Sequence, residues 1–368
     1  MPRFKSIDQL DHQDDFWSNM LVGDADHDGL QEVVIHEKPV PSGTGRVVFY
    51  EENASGNFDE VFAFDFDQGG LLAIGDVDQD GLTDLFLEQA IGSCDHRFVR
   101  LEATSPSGFP SVPVWSARKE GNVVDMNATI DDVDGDGLLE LVTADADFNC
   151  TPSQLKIFES RPLDSMALIY GPTLGGFPGN PVVADFDGDG AREVAIAFGV
   201  EGMLRLFEST GDNAFHPTFT ATFDETNAYQ LAVIESPSAD GVPVLYLAGQ
   251  TSDYHVLVYE SFANDTITRI NTVNVPANCG ASIAQLAVAD VLGDDVPELV
   301  LDRLCGPVPV YRAGPGGSLA LTAMPVLDES LEIIATRKTA TASGALVIGR
   351  FPCCGNPLGL TEVMRLDQ

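Results

Sequence analysis

The sequence carries a nine-residue acidic pattern four times at nearly constant spacing. Each copy reads D-x-D-x-D-G-x-x-[D/E] and then continues into apolar residues. The copies begin at Asp24, Asp76, Asp132 and Asp185, which places them 52, 56 and 53 residues apart. Chance alone does not give four such matches in step in a chain of 368 residues. A repeat of this length indicates stacked copies of one supersecondary unit.

The same spacing predicts three weaker units. Asp290 opens D-V-L-G-D-D-V-P-E, which keeps Asp294 and Glu298 in register but has no acid at its third position and no glycine at its sixth. The stretch from Ser236 keeps little of the acidic pattern, and we expect it to hold no metal. A last unit, from about Leu331, has strand-like runs but no acidic loop. The chain therefore contains seven units, which start near residues 18, 70, 122, 180, 229, 281 and 330.

Within a unit the sequence is typical of β-structure. Short apolar or alternating runs are separated by Gly, Pro, Ser and Asn, and no segment shows a convincing helical period. Units of about 50 residues with four strands can bury both of their faces only against neighbouring copies. We therefore predict an all-β fold, a seven-bladed β-propeller of four-stranded blades that occupies residues 1–368 as one domain.

The last unit is one strand short. It offers L-E-I-I-A-T, A-L-V-I-G and T-E-V-M-R-L before the sequence ends. The segment R-F-K-S-I-D-Q-L, residues 3–10, precedes the first unit and belongs to no other blade. We predict that residues 3–10 form the outer strand of the last blade, which closes the ring and protects a sheet edge.

The acidic loops have the composition of a calcium site. Carboxylates at positions one, three and five of a tight turn share one small volume, and at an effective dielectric of about 20 two like charges ~4 Å apart repel by roughly 4 kcal/mol. Oxygen ligands at alternating positions, with a backbone carbonyl at position seven, suit Ca²⁺. An acid at nine followed by a strand indicates a β-hairpin loop and not an EF-hand. The predicted ligands are Asp24, Asp26, Asp28, Leu30 and Glu32; Asp76, Asp78, Asp80, Leu82 and Asp84; Asp132, Asp134, Asp136, Leu138 and Glu140; and Asp185, Asp187, Asp189, Ala191 and Glu193, with a weaker site at Asp290, Asp294 and Glu298.

On these loops and the apolar strands that follow them, the sequence resembles the FG-GAP or VCBS repeat family, from about residue 18 to about residue 350. The resemblance implies a seven-bladed propeller with calcium in the hairpins between the first and second strand of a blade. It carries over to the four strong loops, whereas units five to seven depart from the pattern. The family includes adhesion proteins, lectins, accessory domains and a few polysaccharide lyases, so the fold alone does not choose a function.

The net charge of the chain limits the classes of molecule that it can bind. Lys and Arg number 19 against 57 Asp and Glu, a formal charge of −38, which excludes nucleic acid and an anionic membrane surface as partners. No apolar run is long enough to span a bilayer, so we expect no membrane insertion, and the first ten residues lack the apolar stretch of a signal peptide. Calcium loops that bind in the ~0.1–1 mM range are useful outside a cell. We expect a secreted, periplasmic or cell-surface protein.

All six cysteines fall on the face opposite the acidic loops in this strand assignment. The sequence is compatible with disulfides formed in an oxidising compartment and with reduced thiols. The candidate disulfide cysteines are Cys94, Cys150, Cys279, Cys305, Cys353 and Cys354. The same face has the more varied loops, where binding residues usually lie. We predict a ligand face that contains His96, Tyr254, His255, Arg303, Arg350 and Phe351.

Three functions remain open on the sequence. The first is a non-enzymatic propeller with structural calcium that binds an extracellular protein or glycan. The second is a polysaccharide lyase with a His or Tyr base and an Arg that neutralises a uronate. The third is a structural module of a larger surface assembly. The chain carries no Ser-His-Asp signature, phosphate loop or catalytic zinc motif, which favours the first.

Overall fold

The structure is a computed structural model of the chain. It describes all residues except 1–2, 13–14, 17–19, 39–44, 56, 67–68, 93–94, 121–127, 146–152, 225, 235–242, 251–253, 276–282, 293, 295, 304–307, 324–331, 336–344, 351–358 and 368.

The described residues form an all-β fold. Their strands make seven antiparallel sheets, and they contain one 3₁₀ turn, Pro315–Gly317, and no α-helix. No helix in this part of the chain is long and apolar enough to cross a bilayer. The prediction of an all-β propeller with four-stranded blades is confirmed, because each sheet contains a path of four neighbouring strands.

The first three sheets follow the first three sequence units. Sheet one has a first strand in two pieces, both paired with β4, and it contains β2 (Asp15–Phe16), β3 (Leu21–Gly23), β4 (Glu32–Lys38), β5 (Arg46–Glu52) and β6 (Phe58–Asp65). Sheet two contains β7 (Gly69–Gly75), β8 (Asp84–Gly92), β9 (Asp95–Glu102) and β10 (Val112–Glu120). Sheet three contains β11 (Thr129–Asp131), β12 (Glu140–Asp145), β13 (Gln154–Arg161) and β14 (Ser165–Tyr170).

The next three sheets repeat this order of consecutive hairpins. Sheet four contains β15 (Val182–Ala184), β16 (Glu193–Phe198), β17 (Met203–Gly211) and β18 (Ala214–Thr222). Sheet five contains β19 (Thr226–Ile234), β20 (Val244–Gln250), β21 (Tyr254–Ala263) and β22 (Thr266–Val275). Sheet six contains β23 (Ile283–Ala289), β24 (Glu298–Arg303), β25 (Val310–Gly314) and β26 (Ser318–Ala323).

Sheet seven joins the two ends of the described chain. Its strands are β1 (Arg3–His12), β27 (Glu332–Ala335), β28 (Ala345–Arg350) and β29 (Gly359–Asp367), in the order β1-β29-β28-β27. Strand β1 pairs antiparallel with β29, from Arg3 opposite Asp367 to His12 opposite Gly359. This is the pairing predicted for residues 3–10, and it extends two residues further.

The hydrophobic core lies between neighbouring sheets. The first strands contact one another in sequence order from β3 to β27. Side chains of one sheet pack on those of the next, as Phe49 of sheet one does with Leu85 of sheet two. The second strands are covered on both faces, and every residue of β12 and β16 is buried. Apolar runs directly after the acidic loops therefore form these central strands.

Deleting residues 1–12 should lower the melting temperature by about 10 °C or prevent folding, because β29 would lose its hydrogen-bonded neighbour and expose an open edge. Thermal denaturation followed by circular dichroism measures this effect. The control is a deletion of residues 1–2 alone, and equal melting temperatures for the two deletions would contradict the assigned closure.

Candidate metal centres

Five acidic loops join the first and second strands of five sheets, where the sequence predicted them. Position one directly follows the first strand and position nine begins the second strand: β3 ends at Gly23, and β4 begins at Glu32. The loop predicted near Ser236 lies outside the described residues. We call the five loops loop one (24–32), loop two (76–84), loop three (132–140), loop four (185–193) and loop five (290–298).

Loops one to four contain two residues with left-handed backbone. At position six the residue is always glycine, with φ between 88° and 97°. A Cβ added to any of these four glycines would meet no atom within 4 Å. The backbone conformation, and not lack of space, therefore requires glycine at this position. Position four is also left-handed, and in loop one it is occupied by His27, with φ 58°.

Backbone N–H groups fix the directions of the aspartates. In loops one to four, the N–H of position six donates to the aspartate at position one over 2.9–3.1 Å. The N–H of position seven donates to the aspartate at position five over 2.8 Å. Carboxylate oxygens that lie within 4.8 Å of one another belong to Asp132, Asp134 and Asp136 in loop three, and to Asp185, Asp187, Asp189 and Glu193 in loop four.

The acid at position nine is buried beneath its loop. Glu32 and Glu140 are 0% exposed and Glu193 is 3% exposed. One oxygen of each accepts the N–H of position two, over 2.5, 2.7 and 2.6 Å respectively. The other oxygen, Oε1, is buried and has no hydrogen-bond partner in the described structure. Because such an oxygen is costly to leave unpaired, these three loops present an acceptor that calls for a cation or a proton.

Burial raises the pKa of these three glutamates. For Glu32, Glu140 and Glu193 the pKa rises from 4.5 to about 8, with burial as the largest cause and repulsion from the aspartates of the same loop as a further one. The hydrogen bond from position two opposes the rise in each case. Without a cation, the loops therefore favour the protonated acid near neutral pH.

A fifth carboxylate reaches loops one to four from the third strand, and the sequence analysis missed it. Strand pairing places Glu51 opposite Glu32, Glu102 opposite Asp84, Glu159 opposite Glu140, and Glu208 opposite Glu193. The carboxylate of Glu51 lies within 4.8 Å of those of Asp26, Asp28 and Glu32. The available signal was the third-strand endings F-Y-E, R-L-E, I-F-E and L-F-E, one in each of the first four units.

Loops two and five contain an arginine. Arg100 is 0% exposed, and it contacts Asp84 Oδ1 and Asp78 Oδ2, each over 2.6 Å, and Glu102 Oε2 over 3.0 Å. Burial raises the pKa of Asp84 to about 7, although Arg100 opposes the rise.

In loop five, Arg312 stands opposite Glu298, where the other four loops have a glutamate. Its guanidinium pairs with Glu298 and lies 2.8 Å from Asp294 Oδ2. Loop five therefore has a protein cation in the place of the fifth carboxylate.

The predicted ligand face is only partly described. His96 lies inside β9 and not in a loop; it is 3% exposed, and its Nδ1 is 2.6 Å from Glu88 Oε1. His255 is partly exposed, with Nδ1 2.8 Å from Asn274 Oδ1. Tyr254, Arg303 and Arg350 belong to β21, β24 and β28, but their side chains, and all of Phe351, lie outside the description.

His96 belongs to a buried charged cluster that the sequence analysis did not predict. Glu88 accepts a hydrogen bond from Lys119 over 2.6 Å, and Lys156 pairs with Asp145. Both ammonium groups lie about 5.5 Å from the centre of the Phe98 ring. Lys119 Nζ of sheet two also lies 3.9 Å from Asp145 Oδ1 of sheet three, so the cluster links these two sheets.

All six cysteines, Cys94, Cys150, Cys279, Cys305, Cys353 and Cys354, lie outside the described residues. Disulfide formation therefore stays a prediction.

Comparison with known proteins supports the repeat assignment. Residues 132–196, which contain loops three and four, match the model of the FG-GAP-like repeat. The resemblance noted in the sequence is confirmed by this match. No curated protein sequence matches the chain significantly.

Solved structures share the propeller fold at low sequence identity. A chain of the crystal structure of BBS1N in complex with ARL6DN, soaked with lead, has a TM-score of 0.60 and 12% identity, with 100% of this chain and 98% of that chain covered. The Pseudomonas aeruginosa periplasmic gluconolactonase PpgL has 0.54 and 14%, with 81% and 83% covered. Chaetomium thermophilum Sqt1, bound to the N-terminus of ribosomal protein L10, has 0.57 and 11%, with 94% and 85% covered. At these identities the likeness concerns the fold alone.

The raised pKa values predict that the metal-free protein loses stability as the pH rises from about 5 to about 8. A group with a native pKa of about 8 and an unfolded pKa of 4.5 stabilises the native state fully below pH 4.5, and this contribution is lost as the pH rises through 8. Melting temperatures in EDTA across this range measure the loss.

The variant Glu140→Gln isolates the effect, because its amide resembles the protonated acid. We expect it to flatten the pH dependence in EDTA, whereas Asp224→Asn, at an exposed acid, should leave it unchanged. The same slope in Glu140→Gln and the wild-type protein would contradict the assignment.

Proposed function

We propose that the chain is a calcium-stabilised FG-GAP-like β-propeller, whose seven sheets form the blades of one closed ring, and that it acts as a non-enzymatic module that binds a protein or glycan outside the cell. The observation that carries the calcium proposal is the buried, unpartnered Oε1 of Glu32, Glu140 and Glu193. Each buried oxygen without a partner lowers the stability of the protein, and a bound cation would remove this cost in all three loops.

The donor set supports calcium over transition metals. Every side-chain donor around loops one, three and four is a carboxylate oxygen, and the loop backbone adds a carbonyl at position seven. The acidic groups of loops one, three and four contain no histidine or cysteine, the ligands that zinc and copper prefer. Five carboxylates with a flexible carbonyl suit a large, hard divalent cation of high coordination number. When bound, calcium would supply the positive charge that these oxygens lack.

The five loops differ in how well they fit a cation. Loops one, three and four have a free buried oxygen and a glutamate on the third strand. In loop two, Arg100 already neutralises Asp78 and Asp84, so we expect weaker binding there. In loop five, Arg312 replaces the glutamate, and we expect no binding. The proposal therefore ranks the predicted sites instead of treating the four strong sequence matches as equal.

Calcium in these loops would stabilise the ring as well as each hairpin. The loops of neighbouring sheets touch: Gln79 donates to the carbonyl of Gly137 over 3.0 Å, and Thr83 Oγ1 lies 3.0 Å from His27 Nε2. A cation that orders one loop also fixes the groups that the next loop uses. This arrangement gives the metal a structural role at the face that carries the loops.

The binding role is supported by the fold and by the charge. Propeller structures similar to this chain include Sqt1, which was solved with the N-terminus of a ribosomal protein, and a complex of BBS1N with ARL6DN. A charge of −38 favours partners without a polyanionic backbone. The lyase alternative is weakened, since His96, one of its candidate bases, is buried against Glu88.

Calcium should raise the melting temperature of EDTA-treated protein by about 5 °C. Three sites at about ten times their dissociation constants would contribute about 4 kcal/mol in total. Calorimetric calcium titration and thermal denaturation with and without EDTA measure the effect. A melt that is the same in EDTA and in calcium would overturn the proposal.

Matched variants at position five separate the loops. Asp189→Asn in loop four should reduce the gain from calcium, because it removes a ligand. Asp294→Asn in loop five should leave that gain unchanged, because Arg312 makes the loop independent of metal. An equal effect of the two variants would contradict the ranking of the sites.

We expect binding to a glycan or a protein to require calcium, because calcium would order the ring that carries the ligand face. Glycan arrays and protein-partner screens with calcium and with EDTA test this, and we expect signals that EDTA removes. Ultraviolet absorbance that grows on incubation with uronate polymers would instead establish the lyase alternative. Failure to bind any ligand in either condition would favour a structural module.

A further inference from the structure

The hairpins between third and fourth strands reach over the acidic loop of the preceding sheet. The backbone N–H of Asn213, in sheet four, donates to Asp134 Oδ2 of loop three over 2.6 Å. The backbone N–H of Asp265, in sheet five, donates to Asp187 Oδ2 of loop four over the same distance. Both donors have left-handed backbone, with φ 58° and 57°. The two hairpins therefore place equivalent side chains against equivalent loops.

The two equivalent side chains differ in a single chemical group. The amide of Asn213 donates to Glu159 Oε2 over 3.4 Å, so the third-strand glutamate of sheet three has a donor from the next sheet. At the next boundary the side chain of Asp265 faces Glu208, and this contact, together with burial as the main cause, raises the pKa of Glu208 to about 7. A carboxylate thus stands where the other boundary has an amide.

The pair at the second boundary leaves buried oxygens without donors. Glu208 is 8% exposed, and its Oε2 has no hydrogen-bond partner in the described structure. Asp265 Oδ1 is also buried without a hydrogen-bond partner, while Asp265 Oδ2 accepts a hydrogen bond from the side chain of Asn264 over 3.1 Å. Glu193, at position nine of loop four, stands directly opposite Glu208 in the strand pairing, and its Oε1 is also buried without a hydrogen-bond partner. Three unpaired buried oxygens from two sheets need a positive charge between them.

We propose that Glu208 and Asp265 complete the cation site of loop four, so that one divalent cation is held jointly by sheets four and five. The inference rests on the proposed calcium binding and adds a ligand that loop four itself does not contain. Loop three lacks this carboxylate, because Asn213 occupies the corresponding place. Because Asn213 Oδ1 is also buried and without a hydrogen-bond partner, the two boundaries differ in charge: the next sheet offers loop three a neutral amide oxygen and offers loop four a carboxylate.

The residues at the two boundaries suggest a matched pair of substitutions. Asp265→Asn gives the loop-four boundary the amide of the loop-three boundary, and Asn213→Asp does the reverse. Asp224→Asn makes the same charge change at an exposed position and serves as the control. The measurements are the melting temperatures in EDTA and in calcium and the calcium affinities from calorimetric titration.

Asp265→Asn should raise the melting temperature in EDTA, because it removes a repulsion, and should reduce the gain from calcium. One calcium site should weaken by about tenfold while the others keep their affinities. Asn213→Asp should lower the melting temperature in EDTA and increase the gain from calcium. Asp224→Asn should change neither.

The outcomes separate this inference from the proposal on which it rests. If the wild-type protein binds no calcium, the proposed function fails. If it binds calcium and Asp265→Asn binds it equally well, the joint between the sheets fails alone. A fall in the melting temperature of Asp265→Asn that is equal in EDTA and in calcium would assign Asp265 a purely structural role and also overturn the inference.

Discussion

The arrangement of the acidic loops depends on one buried carboxylate, the acid at position nine. Its inner oxygen accepts the N–H of position two and so holds the start of the loop to the start of the second strand. Its outer oxygen, in loops one, three and four, faces the aspartates and has no donor. The aspartates are therefore positioned by the backbone, whereas their charge is left uncompensated. Hairpin geometry and cation affinity arise from the same residue.

In loops two and five, an arginine side chain compensates part of the negative charge. Arg100 and Arg312 bring a permanent positive charge to loops two and five, and both hold the acid at position nine by direct contact. A guanidinium carried by the chain needs no ion from the surroundings, but it adds one charge instead of two and has a fixed direction. Arginine is present at loops two and five and the unpartnered oxygen at loops one, three and four, so the stability of the five sheets should respond unevenly to changes in calcium.

Much of this organisation could be predicted from sequence, because the acidic loops, the following strands and the outer strand at residues 3–10 are local or periodic features. The residues that were missed depend on strand register. Glu51 or Arg312 becomes meaningful only when the third strand is aligned against position nine, and the lengths of the intervening loops vary between units. His96 was misplaced for a similar reason: β9 begins at Asp95, so His96 belongs to the strand and not to the loop before it.

The pairing of β1 with β29 has a consequence for the order of folding. Every other strand pair in the described chain joins segments that are close in sequence, and these hairpins can form early and independently. Sheet seven brings together segments separated by nearly the whole described chain, so its closure must wait until the other sheets have formed or at least been synthesised. In the proposed closed ring, we expect this pairing to form last and its separation to limit the rate of unfolding.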